Sequence, residues 1–256
     1  MLAPRLAALK AAGRRALVCY VTAGHPDRDR SIALVRGIAA AGADVIELGV
    51  PFSDPVADGP VIQASSQRAL ELGMTLDGTL GIAADAGVDV PLVLFSYLNP
   101  LMAAGPDVLV RAKAAGISGL LVTDLPVGSD PEREAWLGSG PLSFVRLVAP
   151  TTPDARMAEI ARHGSGFVYL ISRLGVTGER ADVPADLPDT VARLRRVCTL
   201  PICVGFGVAT PDQARAVGAA ADGVVVGSAL VRAADRSLDE AVALVRGMRE
   251  ALDRGA

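Results

Sequence analysis

The sequence predicts an α/β fold: a single (β/α)8 barrel domain over residues 1–256 with an N-terminal capping helix. Three observations predict it. Eight short apolar runs recur along 256 residues, a length at which α/β barrels fold as one unit. Most runs are near-continuous Val, Ile and Leu rather than alternating, as parallel strands covered on both faces require. The stretches between them read as helices with their own start signals.

The first segment, MLAPRLAALKAAGRRALV, is apolar and basic, but Lys10, Arg14 and Arg15 interrupt any signal-peptide core. It reads as an amphipathic helix, with a transit sequence as the alternative. The strand runs centre on 17–21, 45–48, 92–95, 120–122, 144–148, 167–171, 202–204 and 224–226. Thr152-Pro153 and Thr210-Pro211 set a cap hydroxyl ahead of a first-turn proline. Gln213 stands at capping-box spacing from Thr210. An internal echo (AAGADVIELGVP, AAGISGLLVTDLP, HGSGFVYLISR, GAAADGVVVGSA) enters the second, fourth, sixth and eighth runs through glycine, which suggests a repeated βα unit. An open doubly wound sheet is the alternative, weakened in its dinucleotide-binding form by the absence of GxGxxG. No Ser/Gly linker or long charge run divides the chain.

Composition narrows the function classes. Hydrophobic residues make up 51% and charged residues 21%, enough for a sizeable core. A net charge of −3 argues against a nucleic-acid surface, and no apolar run could span a membrane. Cys19, Cys198 and Cys203 form no disulfide framework and fit reduced thiols in the cytoplasm. Neither lysine, Lys10 or Lys113, falls at a strand end, so a Schiff-base or pyridoxal-phosphate lysine in this chain is not expected. His25 and His163 read as ordinary loop or helix-end residues, and no metal site is expected. Magnesium held by Asp54 and Asp58 is the alternative.

Candidate chemistry gathers at the carboxyl ends of the runs, where barrels place their active sites. Residues 44–59, DVIELGVPFSDPVADG, put Glu47 at the end of the second run and Asp58 eleven residues later in a Pro/Gly/Asp-rich loop. A carboxylate at a buried strand end is unfavourable unless it has a task, and two carboxylates in unlike surroundings can divide acid from base duties. The bland reading is an acidic surface loop. Gly205-Phe206-Gly207 and Gly227-Ser228 follow the last two runs, where backbone amides and a helix start can hold phosphate; tight turning is the alternative. Tyr20, Tyr97, Tyr169, Phe52 and Phe206 lie near strand ends, as does Phe95, and read either as core or as an apolar pocket. Arg173 pairs with a carboxylate or contacts substrate.

Together these segments resemble the tryptophan synthase alpha chain family. The matching stretches are YVTAGHP, ELGVPFSDPVADGPVIQ, YLNP, TDLPV, VAPTTPDAR, YLISRLGVTG, GFGVATPDQ and GSALV, in the family's order and spread from about residue 20 to 230. The resemblance implies a (β/α)8 barrel that cleaves indole-3-glycerol phosphate to indole and glyceraldehyde 3-phosphate in tryptophan biosynthesis. It implies Glu47 and Asp58 as the catalytic pair, with Glu47 carrying protons and Asp58 accepting the indole N–H. It places Tyr169, Tyr20, Phe206, Phe95 and Thr177 around the substrate, and Gly178, Gly205, Gly207, Gly227 and Ser228 at the phosphate. It also implies no cofactor in this chain and a pyridoxal-phosphate beta chain as partner in a cytoplasmic alpha2beta2 heterotetramer. The loops at 52–60 and 174–188 are the expected closing elements. Two departures stand out: Tyr20 where phenylalanine is common, and Val127-Gly128-Ser129 where acidic residues are frequent. A stand-alone lyase, another phosphate-barrel enzyme such as a sugar-phosphate isomerase, and a non-catalytic binding subunit are the competing readings.

Overall fold

Eight parallel strands pair in chain order and the eighth returns to the first, closing a barrel. The computed structural model describes residues 2–171, 184–205 and 207–255. In chain order, α1 (Leu2–Ala11) precedes β1 (Ala16–Thr22), α2 (Arg28–Ala40) and β2 (Val45–Gly49). Helices α3 (Pro60–Glu71) and α4 (Leu76–Ala86) lead to β3 (Leu92–Ser96), then α5 (Leu98–Ala103) and α6 (Val108–Ala114) to β4 (Ile117–Val122). Next come α7 (Pro131–Gly138), β5 (Ser143–Val148), α8 (Asp154–Arg162) and β6 (Val168–Ile171). The chain ends with α9 (Leu187–Val197), β7 (Ile202–Gly205), α10 (Pro211–Ala220), β8 (Gly223–Val226), α11 (Ser228–Arg236) and α12 (Leu238–Arg254). All eight expected runs are strands, and the closed order removes the open-sheet alternative.

Two cores follow from strand alternation. One set of side chains, including Leu17, Ile46, Leu94 and Leu120, packs outward against the helices. The other, including Val18, Val45, Val93, Leu121, Val145 and Phe167, fills the barrel interior. Leu2, Leu6 and Leu9 of α1 join the interior set, so the first helix plugs the amino-terminal mouth. Asp44, just before β2, holds the plug in place. It accepts from Arg5 of α1 (2.8 Å), from Arg249 of α12 (2.9 Å) and from the Leu17 N–H (3.0 Å). Among the described residues no helix is long and apolar enough to cross a membrane.

The expected capping box at Thr210 and Gln213 forms in full. The cap expected at Thr152 does not. Helix α8 begins at Asp154 with Pro153 itself as the cap, and Thr152 Oγ1 instead accepts the Ala149 N–H at 3.1 Å. That bond closes the turn after β5, a local alternative that threonine hydroxyls readily take.

Candidate active site

Along β2, Val45, Glu47 and Gly49 share the inward face. Glu47 is 1% exposed, and among the described residues neither of its carboxyl oxygens has a hydrogen-bond partner. Burial alone pushes its pKa up to about 8, so the group holds its proton at neutral pH.

Asp58 reaches the same space from the loop after β2. Tyr97 Oη donates to Asp58 Oδ2 at 3.0 Å and accepts the Ala57 N–H at 2.9 Å, so one phenol ties down two loop residues. Phe52 stacks on Tyr97 with ring centroids 4.9 Å apart. Burial raises the Asp58 pKa to about 6 and the Tyr97 hydrogen bond restrains the rise, which leaves a carboxylate at neutral pH. The two acids therefore rest in opposite protonation states. Asp58 is buried, so the bland reading of a solvated acidic loop fails for it.

One cavity of about 370 Å³ gathers most of the expected residues. Glu47, Asp58, Tyr20, Phe95, Tyr169, Gly207, Gly227 and Ser228 all line it. Tyr20 meets Phe95 edge-on at 5.1 Å. The Tyr20 hydroxyl lies 3.4 Å from Thr22 Oγ1, which lies 2.7 Å from Ser65 Oγ. Ser65 in turn donates to the Ile62 carbonyl, so the extra phenol of Tyr20 faces a side-chain hydroxyl. Thr177, Gly178, Phe206 and Arg173 lie outside the described residues.

Gly205 is not on the cavity wall. It ends β7, and a Cβ there would stand 2.7 Å from Tyr169 Cζ and 2.9 Å from Val225 Cβ. The same device recurs at Gly49, where a Cβ would stand 2.6 Å from Tyr20 Cζ. Each glycine empties an interior position so that a tyrosine ring can lie across it.

Sequence reading passed over several lining residues: Ile62 of α3, Leu147 of β5, Ile171 of β6 and Val208. Each looks like ordinary core. The inward alternation of Val145 and Leu147 was the one signal that could have found Leu147. Tyr97 was noted at a strand end, yet its bond to Asp58 spans 39 residues and has no local signature.

On the same cavity wall Gly227 precedes α11 with φ −121° and ψ −90°, and among the described residues no side-chain hydrogen bond caps the helix. The first amides of a helix have no intrahelical acceptor and carry its positive dipole end, so an anion fits there. Gly207 has φ +90°, a left-handed conformation that glycine adopts without strain. Asp54 does not join Asp58 as a cation ligand; it is exposed and accepts from Ser53 Oγ at 2.6 Å. Among the described residues no group of three His, Cys, Asp or Glu side chains could hold a metal ion. The arrangement offers a proton donor and a carboxylate beside an apolar chamber, with an anion seat beyond them.

Comparison with known proteins bears on the family and the fold. A family model described as tryptophan synthase alpha chain matches residues 6–253. The tryptophan synthase alpha chain of Laribacter hongkongensis is 48% identical, with 97% of each chain covered. That of Caulobacter vibrioides is 48% identical over 89% of this chain and 84% of its own. Among solved structures, Mycobacterium tuberculosis tryptophan synthase superposes with a TM-score of 0.90 at 35% identity, covering 98% of this chain and 97% of its own. The Legionella pneumophila alpha subunit gives 0.86 at 34% identity, covering 98% and 97%. In sequence and in fold, the chain belongs to the tryptophan synthase alpha chain family, lyases that act on indole-3-glycerol phosphate.

Proposed function

We propose that the chain cleaves indole-3-glycerol phosphate by a retro-aldol reaction in which Glu47 moves the protons and Asp58 holds the indole N–H. The observation that carries this reading is the pairing, on one largely apolar cavity, of a buried Glu47 with no hydrogen-bond partner among the described residues and an Asp58 bound by Tyr97. Glu47 delivers its proton to indole C3, and positive charge grows on the ring nitrogen. Asp58 accepts the ring N–H and stabilises that charge. The bond from C3 to the glycerol carbon then breaks, its electrons return to the ring, and the hydroxyl on that carbon becomes the aldehyde. Glu47, now ionised and poorly solvated, takes the hydroxyl proton and returns to its resting state. Atoms balance, and the cycle leaves both carboxyl groups as they began.

Tyr20, Phe95 and Tyr169 bound the indole, while Gly227, Ser228 and Gly207 form the phosphate seat. Thr177, Gly178 and Phe206 retain the roles that the family implies. The chemistry needs no cofactor in this chain. The partner is a beta chain carrying pyridoxal phosphate, in an alpha2beta2 assembly in the cytoplasm. The names of the relatives and the free, buried cysteines support that setting.

The test is direct: incubate the purified chain with indole-3-glycerol phosphate, with and without a cognate beta chain, and assay indole. Indole from the wild type and none from Glu47→Gln supports the reading. No indole from the wild type under either condition overturns it.

A further inference from the structure

Helix α11 supplies the amide end of the phosphate seat, so whatever fixes α11 along its axis also fixes that seat. Its buried side chains are Ala229, Leu230, Val231, Ala233 and Ala234. Apolar contact of this kind is non-directional, so by itself it singles out no polar anchor for the helix. Asp235 stands in the last turn, where a negative charge opposes the helix dipole, so helix stability does not account for it. Asp235 Oδ1 lies 2.6 Å from Nε2 of His25, a bond joining residues 210 apart.

His25 is itself well anchored. It is 7% exposed and stands three residues beyond β1, with its N–H donated to the Thr22 carbonyl at 3.3 Å. The neighbouring Gly24 N–H donates to Ser31 Oγ of α2 at 3.2 Å. The bond to Asp235 therefore links the first βα loop to the helix that follows the last strand. Tyr20 and Gly227 lie on the cavity wall at the two ends of this connection.

We propose that His25 and Asp235 form a clamp that sets the axial position of α11, and hence the placement of the Gly227-Ser228 amides against the substrate phosphate. Both are positioning residues, and the inference rests on the reading of those amides as the phosphate seat. Loss of this one side-chain bond, with Asp235 half-exposed, sets an expected effect of about 3- to 10-fold on phosphate affinity.

The experiment uses the full chain and measures KM and kcat for indole-3-glycerol phosphate. Inorganic phosphate binding is measured alongside by calorimetry. His25→Ala and Asp235→Ala are expected to raise KM and the phosphate Kd together by about 3- to 10-fold, with kcat within about twofold. His25→Gln keeps an N–H donor at similar reach and restores both to within about twofold. The double alanine variant is no worse than either single one. Should His25→Ala fail to fold, half-exposed Asp235 and the glutamine variant carry the test. Wild-type phosphate affinity retained in folded Asp235→Ala overturns the clamp alone. A wild type that binds no phosphate removes the seat and the clamp with it. Losses that fall on kcat and are not rescued by glutamine also overturn the clamp.

Discussion

Burying Glu47 with no partner among the described residues makes its ionised form unfavourable, and the same burial keeps its proton available at neutral pH. Its pKa is near 8 in the folded chain against 4.5 for the free side chain, so the native state binds the extra proton between those values. Stability from this group is intact below about pH 4.5 and is lost as pH rises through 8. Glu47→Gln escapes that loss. Denaturant unfolding is expected to show the variant more stable by up to ~4 kcal/mol near pH 8, with the gap closing toward pH 4.5. The variant should release no measurable indole while still binding substrate. An unchanged pH dependence of stability would mean that Glu47 is solvated. Activity follows the same two groups. The proposed mechanism needs Asp58 ionised and Glu47 protonated, so kcat/KM should rise through about pH 6 and fall through about pH 8. Asp58→Asn should leave little turnover, and a flat profile in the wild type between pH 5 and 9 would refute the division of labour.

At the scale of elements, the loop after β2 is held by Tyr97, the residue between β3 and α5, which bonds both Ala57 and Asp58. Tyr97→Phe removes a bond that lowers the Asp58 pKa, so the acid limb of the kcat/KM profile should move to higher pH, with turnover several-fold lower at pH 6. The interior glycines make a second prediction about paired positions. Gly49→Ala drives a methyl group against Tyr20 and should cost about 1–3 kcal/mol in thermal or denaturant unfolding, as overpacking does. Adding Tyr20→Phe frees the space of the hydroxyl and should recover part of that loss; equal stability of the single and double variants would show that the ring had moved instead. These pairings mark the limit of what the sequence could say. The eight apolar runs were legible because strand burial on both faces leaves a local pattern. Glu47 was legible because a carboxylate breaks such a pattern. Tyr97 with Asp58, Gly49 with Tyr20 and His25 with Asp235 were not, because each pairs residues on different βα units. The missed cap at Thr152 has the opposite cause: two local motifs compete for one hydroxyl, and the sequence does not rank them.

The whole molecule separates stability at one mouth of the barrel from chemistry at the other. At the amino-terminal mouth, buried Asp44 joins α1, α12 and β1, and its loss would leave the buried Arg249 with the half-exposed Asp253 carboxylate and the Arg15 carbonyl as partners. Asp44→Asn should therefore lower stability by about 1–3 kcal/mol while the folded fraction keeps its kcat, since no cavity residue is touched. At the carboxyl-terminal mouth the loop that carries Asp58 also carries Val56, which is 79% exposed two residues away. On the proposed reading, a beta chain that covers this exposed apolar side chain would also set the position of Asp58. Indole is apolar and escapes easily, so tying turnover to docking of the beta chain limits its loss. The isolated chain should be slow, and a cognate beta chain should raise indole formation by an order of magnitude or more. Val56→Asp should leave the basal rate of the isolated chain unchanged and weaken that stimulation, read as a higher beta-chain concentration for half-maximal rate. Equal turnover with and without the beta chain would instead favour a stand-alone lyase, in which the loop reaches its working position unaided.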